Sequence, residues 1–468
     1  MSKPFYTPDE ILTLTRGLRM STQGTVRRMH QSLTGACADS REVKPGFLFF
    51  ALDGERTRGC RYIREAFRRG AGAVVASRKT LDREHWYREL NREQRSRVIL
   101  VEDALGALQL LGKHWVSRFP SMKRIAVTGS CGKTTTKELI ASILSEAGAT
   151  VKNPGNRNST IGLPLSLFSV NDEHEFGVFE MGINHIGEMD QLVDIYAPEI
   201  SLITNIGTAH IGNFGSSERI AYEKSKVLTG SARLGYIYEN SRWKSYIGTI
   251  RGIPLQDYGE TKTPGIERYH SRGLSGWAVS YRGEQVHLPL VGYHNLVNAY
   301  GAIALAEDLG VPRDSVKRGI ENVKALFGRG RVIEGPVTII EDCYNANAES
   351  MHSMLRYLSS LKWSRGQVAL ILGSMKELGE RTLAMHRLLG RWIAKLNPAG
   401  VFLLGSEMEA AYREVKNRCS TSTLVLSEDC DELQIQIRAF VKRGDLALVK
   451  GSRTMEMERL TAALQQVG

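Results

Sequence analysis

A strand that runs into a glycine turn and restarts as a helix on a Lys-Thr pair leaves a chain few architectures to adopt. The stretch Ile125-Ala-Val-Thr-Gly-Ser-Cys-Gly-Lys-Thr-Thr-Thr136 reads in that way. In such a turn the backbone N–H groups of Thr128, Gly129, Ser130, Cys131 and Gly132, with those of Lys133, Thr134 and Thr135 in the first helical turn, form a concave donor surface for phosphate oxygens. Lys133 supplies a point charge for the β- and γ-phosphates, and the Thr134 hydroxyl is suited to Mg²⁺. Val127 stands where the longer GxxxxGK[ST] pattern has its first glycine, so this is the shorter TGxxGKT form. A GKT triplet is common by chance, but one at a strand-to-helix junction is not. The stretch is read as a nucleotide loop rather than a purely structural turn.

The loop is embedded in alternating strand and helix signals. Upstream, apolar runs at 47–52, 73–76 and 98–101 alternate with helical patterns at 63–69 and 103–118, which predicts a small α/β domain. The break Arg118-Phe-Pro-Ser-Met122 places a boundary near residue 121. Downstream, a helix is expected over 135–147 with Gly148 as its stop, then strands at 176–181 and 200–206, the pattern of a largely parallel sheet covered by helices. The polar, Gly-rich segment 327–331 reads as a second linker. Beyond it, strand-like runs at 337–341, 368–372, 401–404, 423–426 and 446–449 are separated by helical patterns, as in a doubly wound sheet. The expectation is an α/β chain of three domains, at 1–121, 122–332 and 333–468, and 468 residues suit three domains of about 150.

Composition narrows the function classes. A hydrophobic content of 42% and a charged content of 24% exclude disorder and collagen. The net charge is +12, and residues 1–124 hold 24 basic and 13 acidic residues, so almost all of the excess lies in the first quarter. Two ligands suit such a domain, nucleic acid or a small polyanion such as a sugar-nucleotide pyrophosphate; part of the charge, as in 61–70, is the solvated face of an amphipathic helix. Six cysteines without a CxxC pair suit reduced thiols in a cytoplasm. No apolar run approaches the ~20 residues of a membrane span. Pro4, Pro8, Asp9 and Glu10 interrupt the place where an export signal would be apolar.

A phosphate loop needs metal ligands. Glu180 ends the apolar run 176–180, and His210 follows the strand end Thr204-Asn-Ile-Gly-Thr-Ala-His210. Ligands of open α/β sheets gather at the carboxyl ends of strands, so with the loop upstream both residues become Mg²⁺ candidates. Each alone would read as an ordinary exposed side chain.

The motifs TGSCGKTTTKE, NPGNRNSTIGLP (153–164), FEMGINHIGE (179–188), TNIGTAHIGNFGS (204–216), GYHNLVNA (292–299), EDCYNANAESM (341–351) and VKGSR (449–453) stand in an order that resembles the Mur ligase family over residues 38–453. The run ADSREVKPGFLFFALDGE (38–55) resembles that family's UDP-binding domain. Tyr344-Asn-Ala-Asn347 and Glu180-Met-Gly-Ile-Asn-His185 are most similar to the branch that joins D-alanyl-D-alanine to UDP-MurNAc-tripeptide, rather than the branch that adds one amino acid to a shorter precursor. The resemblance implies a UDP-sugar-binding domain, a central P-loop ATPase-like domain and a C-terminal Rossmann-like domain for the incoming dipeptide. It implies ATP and Mg²⁺, a carboxylate activated as an acyl phosphate, no nucleic acid, no membrane insertion, a cytoplasmic location and, by default, a monomer.

By the same resemblance Thr134, Glu180, His210 and Lys224 hold metal, Lys224 as a carbamate, with Lys133, Lys224 and His210 as the catalytic set. Asn295, Arg329 and Asp342 approach the nucleotide. Ser40, Arg41, Asn156, Asn158, Tyr344, Asn345 and Asn347 approach the substrates. Read from the residues alone, Lys224 is a solvated helix charge. The chain departs from the family pattern at Arg58-Gly-Cys60, Lys226, Ala348 and Ser374. Two readings from other classes are a nucleic-acid-dependent NTPase, for which no helicase-like second motif is present, and a non-catalytic sugar-nucleotide sensor, which would not need the set Lys133, Thr134, Glu180, His210 and Lys224.

Overall fold

The computed structural model describes residues 5–20, 32–54, 57–81, 85–419 and 423–466. Pro4 and Glu55 lie outside the described residues. The chain forms two compact units, one of residues 1–126, 148–182 and 188–199, the other of residues 127–147, 183–187 and 200–468.

In the first unit, strands Leu18–Arg19, Val98–Val101, Ala73–Ser77, Phe47–Ala51 and Gly35–Cys37 lie side by side in that order, parallel except for the first. Val98–Val101 is buried along its whole length, as a strand covered on both faces must be, and such a strand reads as an unbroken apolar run. Helix Ala104–Ser117 starts on an Asp103 cap and buries Leu108, Leu111 and Trp115. Residues 148–182, beyond the expected boundary near 121, pack in this unit. Trp115 donates its indole N–H to Val170 O at 3.0 Å, and Gly112 makes room for Pro164, whose Cβ would lie 2.7 Å from an added methyl. The parallel pair Thr150–Lys152 and Phe176–Glu180 completes the unit, the second strand ending on Glu180 as expected.

Strand Lys123–Thr128 passes from one unit into the other. In the first unit Lys123 N–H donates to Glu175 O and Glu199 N–H to Arg124 O; in the second, Thr204 N–H donates to Thr128 O.

The second unit holds the parallel strands Ile200–Ile203, Leu234–Tyr238 and Leu255–Tyr258. Helix Lys133–Ser145 packs on helices Tyr293–Asp308 and Arg313–Asn322. At one seam Gly319 is the only residue that fits, since a Cβ there would sit 2.3 Å from Ile143 Cα. An antiparallel meander, Ile266–Ser271, Trp277–Tyr281 and Glu284–Leu288, has no counterpart in the sequence expectation. Its last turn places Arg282 and Gly283 at φ 48° and 80°, the left-handed pair that a two-residue hairpin requires.

The C-terminal sheet runs Arg331–Ile333, Thr338–Asp342, Leu446–Lys450, Val368–Gly373, Gly400–Leu404, Thr423–Ser427, parallel except for the first strand. It is doubly wound as expected, with one difference. The supposed linker 327–331 is tied down, because the buried Glu341 carboxylate accepts Gly328 N–H and the Arg331 guanidinium, and Arg331 opens a strand. Among the described residues no helix is long and apolar enough to cross a membrane.

Candidate active site

Helix Lys133–Ser145 begins one residue after Gly132, whose φ of 79° turns the chain into it. Gly129, at φ 149°, lies so close to the neighbouring strand end that a Cβ would fall 1.9 Å from Thr204 Oγ1. The loop between them is shaped from outside. Asn205 accepts Cys131 N–H at 2.9 Å through Oδ1 and donates to Cys131 O at 3.1 Å through Nδ2. Thr204 Oγ1 donates to the same carbonyl at 2.5 Å, and Ser130 N–H donates to Asn205 O at 2.9 Å. Ser130 Oγ in turn accepts Gly207 N–H at 2.8 Å. Lys133 folds back, its Nζ donating to Gly129 O at 2.9 Å. Sequence reasoning used this strand end only to find His210 and missed Thr204 and Asn205 as the loop's frame. The available signal was a pair of polar residues closing an apolar strand.

Several expected residues gather on this loop. Arg329 Nη2 lies 3.4 Å from Thr134 Oγ1, and its guanidinium stacks 4.0 Å above the Tyr344 ring. Asn298 touches the loop at Gly132, where a Cβ would meet Asn298 Oδ1 at 2.7 Å, and donates to Asn295 Oδ1 at 3.2 Å. Asn295 is buried and also donates to Val291 O. Asn347 caps helix Ala348–Ser360 by accepting Ser350 N–H, and its amide lies 3.0 Å from Cys131 Sγ. Its amide thus serves the cap and the loop. Asp342 and Lys450, at the carboxyl ends of neighbouring parallel strands, form an ion pair at 2.6 Å, and the buried Lys450 also donates to Asn345 O. Asn345 itself is exposed.

His210 occupies a left-handed position, φ 59° and ψ 23°, and its Nδ1 lies 2.5 Å from Glu377 Oε2. The residue reading of Lys224 as a solvated charge is overturned: in helix Ser217–Ser225 its side chain is 1% exposed. Tertiary packing decides this. Neighbouring Glu223, also buried, accepts Gly187 N–H at 3.0 Å and pairs with Lys226 at 2.8 Å, so segment 183–187 is laid against this helix. The departure at Lys226 therefore has a partner one turn away.

In the first unit, Glu180 is 1% exposed. Its Oε1 accepts Asn158 Nδ2 at 2.6 Å and its backbone is held by the Asn153 amide, while Oε2 has no hydrogen-bond partner among the described residues. Asn156 is exposed nearby in sequence. Ser40 is buried and donates to Glu65 at 3.3 Å; Arg41 is 80% exposed and paired with Asp39 at 2.6 Å. The Arg41 pairing holds the Asp39 carboxyl below its ordinary value. A cavity of about 280 Å³ at the carboxyl ends of strands Phe47–Ala51, Ala73–Ser77 and Val98–Val101 is lined by Leu52, Asp53, Ser77, Lys79 and Asp103. Ser77 and Lys79 were missed by sequence reasoning, since neither belongs to a motif. Among the described residues no group of three or more His, Cys, Asp and Glu side chains forms a metal cage.

Ser374 donates to Glu407 Oε2 at 2.8 Å, and Lys376 pairs with the same carboxylate. Burial works to raise the Glu407 carboxyl, but Lys376, the backbone and Ser374 outweigh it and hold it at about 2.

Three family models match consecutive parts of the chain: the Mur ligase family catalytic domain at residues 32–114, the Mur ligase middle domain at 127–306 and the Mur ligase glutamate ligase domain at 328–453. The chain is 34% identical over 460 residues to the UDP-N-acetylmuramoyl-tripeptide–D-alanyl-D-alanine ligase of Treponema pallidum, covering 98% of each. Among solved structures it is similar to MurF from Acinetobacter baumannii, with a TM-score of 0.85, 27% identity and 99% of each chain covered. It is also similar to the MurF ligase from Thermotoga maritima in complex with ADP, with a TM-score of 0.78, 27% identity and coverage of 92% and 97%.

Proposed function

Because the chain belongs to the Mur ligase family, we propose that it joins D-alanyl-D-alanine to UDP-N-acetylmuramoyl-tripeptide, driven by ATP, to give the pentapeptide precursor of peptidoglycan. The observation that carries the nucleotide half of this reading is the framed loop with Thr134, Arg329 and Tyr344 drawn together upon it. The acceptor half rests on kinship along the full chain. Residues 1–121 are assigned to the sugar nucleotide, 122–332 to ATP and 333–468 to the dipeptide, a division supported by the order of the three family models. A monomer in the cytoplasm belongs to the same proposal.

The donor set suits Mg²⁺. Glu180 Oε2 is a buried hard oxygen with no protein partner among the described residues, and leaving such an atom alone costs about 1–3 kcal/mol or more. By the family resemblance Thr134, His210 and a carbamate on Lys224 would be metal ligands in the second unit, and Glu180 in the first. When bound, it supplies positive charge that offsets repulsion between a carboxylate and a triphosphate.

The rest of the chemistry belongs to the chain. The loop N–H groups and Lys133 orient the γ-phosphate, and the terminal carboxylate of the tripeptide attacks its phosphorus, forming an acyl phosphate and releasing ADP. The amine of D-alanyl-D-alanine attacks the acyl carbon, loses a proton and expels phosphate. Lys133 and Arg329 stabilise charge on the transferring group, where loss of one such contact costs about 10²–10³ in rate. Carbamylation would turn the buried Lys224 from a cation into an anion suited to Mg²⁺.

The test is phosphate release from Mg-ATP with UDP-MurNAc-tripeptide, comparing D-alanyl-D-alanine with free amino acids. Release with the dipeptide alone is expected, and none from Lys133→Ala. Release with a free amino acid instead assigns the chain to the other branch of the family. Normal release from Lys133→Ala removes the loop from the mechanism.

A further inference from the structure

Glu377 has no part in the scheme above, yet it meets the residue that scheme places on the metal. Its Oε2 lies 2.5 Å from His210 Nδ1, an ion-pair contact whose angle falls outside that of a hydrogen bond. Both residues adopt left-handed backbone, at φ 65° for Glu377 and φ 59° for His210. Such a conformation is uncommon outside glycine, and where it persists the surroundings must enforce it. Here they do. Gly212 N–H donates to Glu377 O at 3.0 Å. Gly212 and Gly379 touch so closely that a Cβ on Gly212 would lie 2.9 Å from Gly379 N. The segment after strand Val368–Gly373 is thereby pressed, backbone on backbone, against the turn after His210.

We infer that Glu377 is a positioning residue for His210. Its carboxylate faces Nδ1 at ion-pair distance, which orients the ring and would leave Nε2 for coordination. A ligating imidazole is generally held in this way by a carboxylate on its other nitrogen. The inference deepens the proposed metal site and rests on His210 being a ligand there. It adds a second consequence: the C-terminal region, through 374–379, sets the geometry of a ligand that belongs to the ATP-binding region.

The test uses the full chain with ADP and Mn²⁺ as the probe, read by Mn²⁺ titration and by the ¹⁴N modulation that a bound imidazole imposes on the Mn²⁺ electron spin echo. Glu377→Ala is expected to weaken Mn²⁺ binding about 10-fold, the lower end for loss of such a partner, and to diminish the ¹⁴N signal. Glu377→Gln, which keeps an acceptor for the ring, should lose less. His210→Ala should abolish the ¹⁴N signal, and Glu377→Ala added to it should weaken binding no further. Wild-type Mn²⁺ affinity in Glu377→Ala beside a weakened His210→Ala overturns the inference alone, as do fully additive losses in the double variant. Wild-type affinity in His210→Ala removes that residue from the metal site and the inference with it, while the ligation reading stands or falls separately on phosphate release. Should Glu377→Ala fail to fold, Glu377→Gln decides by the same criteria.

Discussion

Asn205→Ala tests whether the phosphate loop owes its shape to the strand end beside it. The substitution removes two bonds to Cys131, at 2.9 Å to its N–H and 3.1 Å to its carbonyl. Their loss is not symmetrical. The Cys131 carbonyl keeps Thr204 Oγ1 at 2.5 Å, and the backbone bond from Ser130 N–H to Asn205 O survives any side-chain change. What is lost is one full bond, to Cys131 N–H, and part of a second. At about 0.5–1.5 kcal/mol per bond this amounts to about 1–2 kcal/mol. The cost falls on the ordered loop, which a nucleotide must restore before it can bind, so ADP affinity should drop about 5–30-fold. Calorimetric titration with ADP measures it. Asn205→Asp separates the two bonds: it keeps the acceptor for Cys131 N–H but turns an oxygen toward the Cys131 carbonyl, and should bind no better than Asn205→Ala. If both variants bind ADP as the wild type does, or lose only thermal stability, the frame does not shape the loop.

Three further outcomes follow from the same geometry. Lys224→Ala should slow phosphate release by about 10²-fold or more, as loss of one preorganised electrostatic group does, with partial recovery in a small carboxylate such as acetate; full activity without additive excludes the carbamate. Gly319→Ala should destabilise the fold by about 1–3 kcal/mol or more in denaturant titration, because its methyl would meet Ile143 backbone rather than a side chain that can turn aside, and unchanged stability would contradict that packing. Glu407, ordinarily near 4.5, is held at about 2 in the fold, so its contribution to stability is present above pH 4.5 and is lost as the pH falls toward 2. Glu407→Gln should therefore be less stable than the wild type at neutral pH, with the gap closing between about pH 4.5 and 2; a gap that persists in acid would sever the Lys376 pairing from stability.

Some of this was legible before any coordinates. Gly129 and Gly132 mark the loop because only glycine tolerates both the backbone angle and the approach of Thr204 and Asn298. The C-terminal strands stood out because strands buried on both faces, such as Gly400–Leu404, are unbroken apolar runs. The meander was not legible, since Trp277–Tyr281 is buried at every position and shows no alternation, and its turn carries Arg282 where Asn or Asp would announce a hairpin. Lys224 was misread because helix Ser217–Ser225 is polar in sequence and its burial comes from distant segments. The bonds from Thr204 and Asn205 to Cys131 likewise span more than 70 residues and leave no local trace.

The sulfur in the loop has a chemical consequence. Burial, aided by Glu349, pushes the Cys131 thiol above its ordinary value, and neither the Asn347 amide nor the Lys133 charge brings it back. At neutral pH it is a protonated S–H, whereas alkylation requires the thiolate. An electrophilic inhibitor aimed at this loop would meet a poor nucleophile, and any adduct on Sγ would have to prise the amino end of helix Ala348–Ser360 away from it. Reversible ligands that mimic phosphate are the better starting point for chemistry against this enzyme.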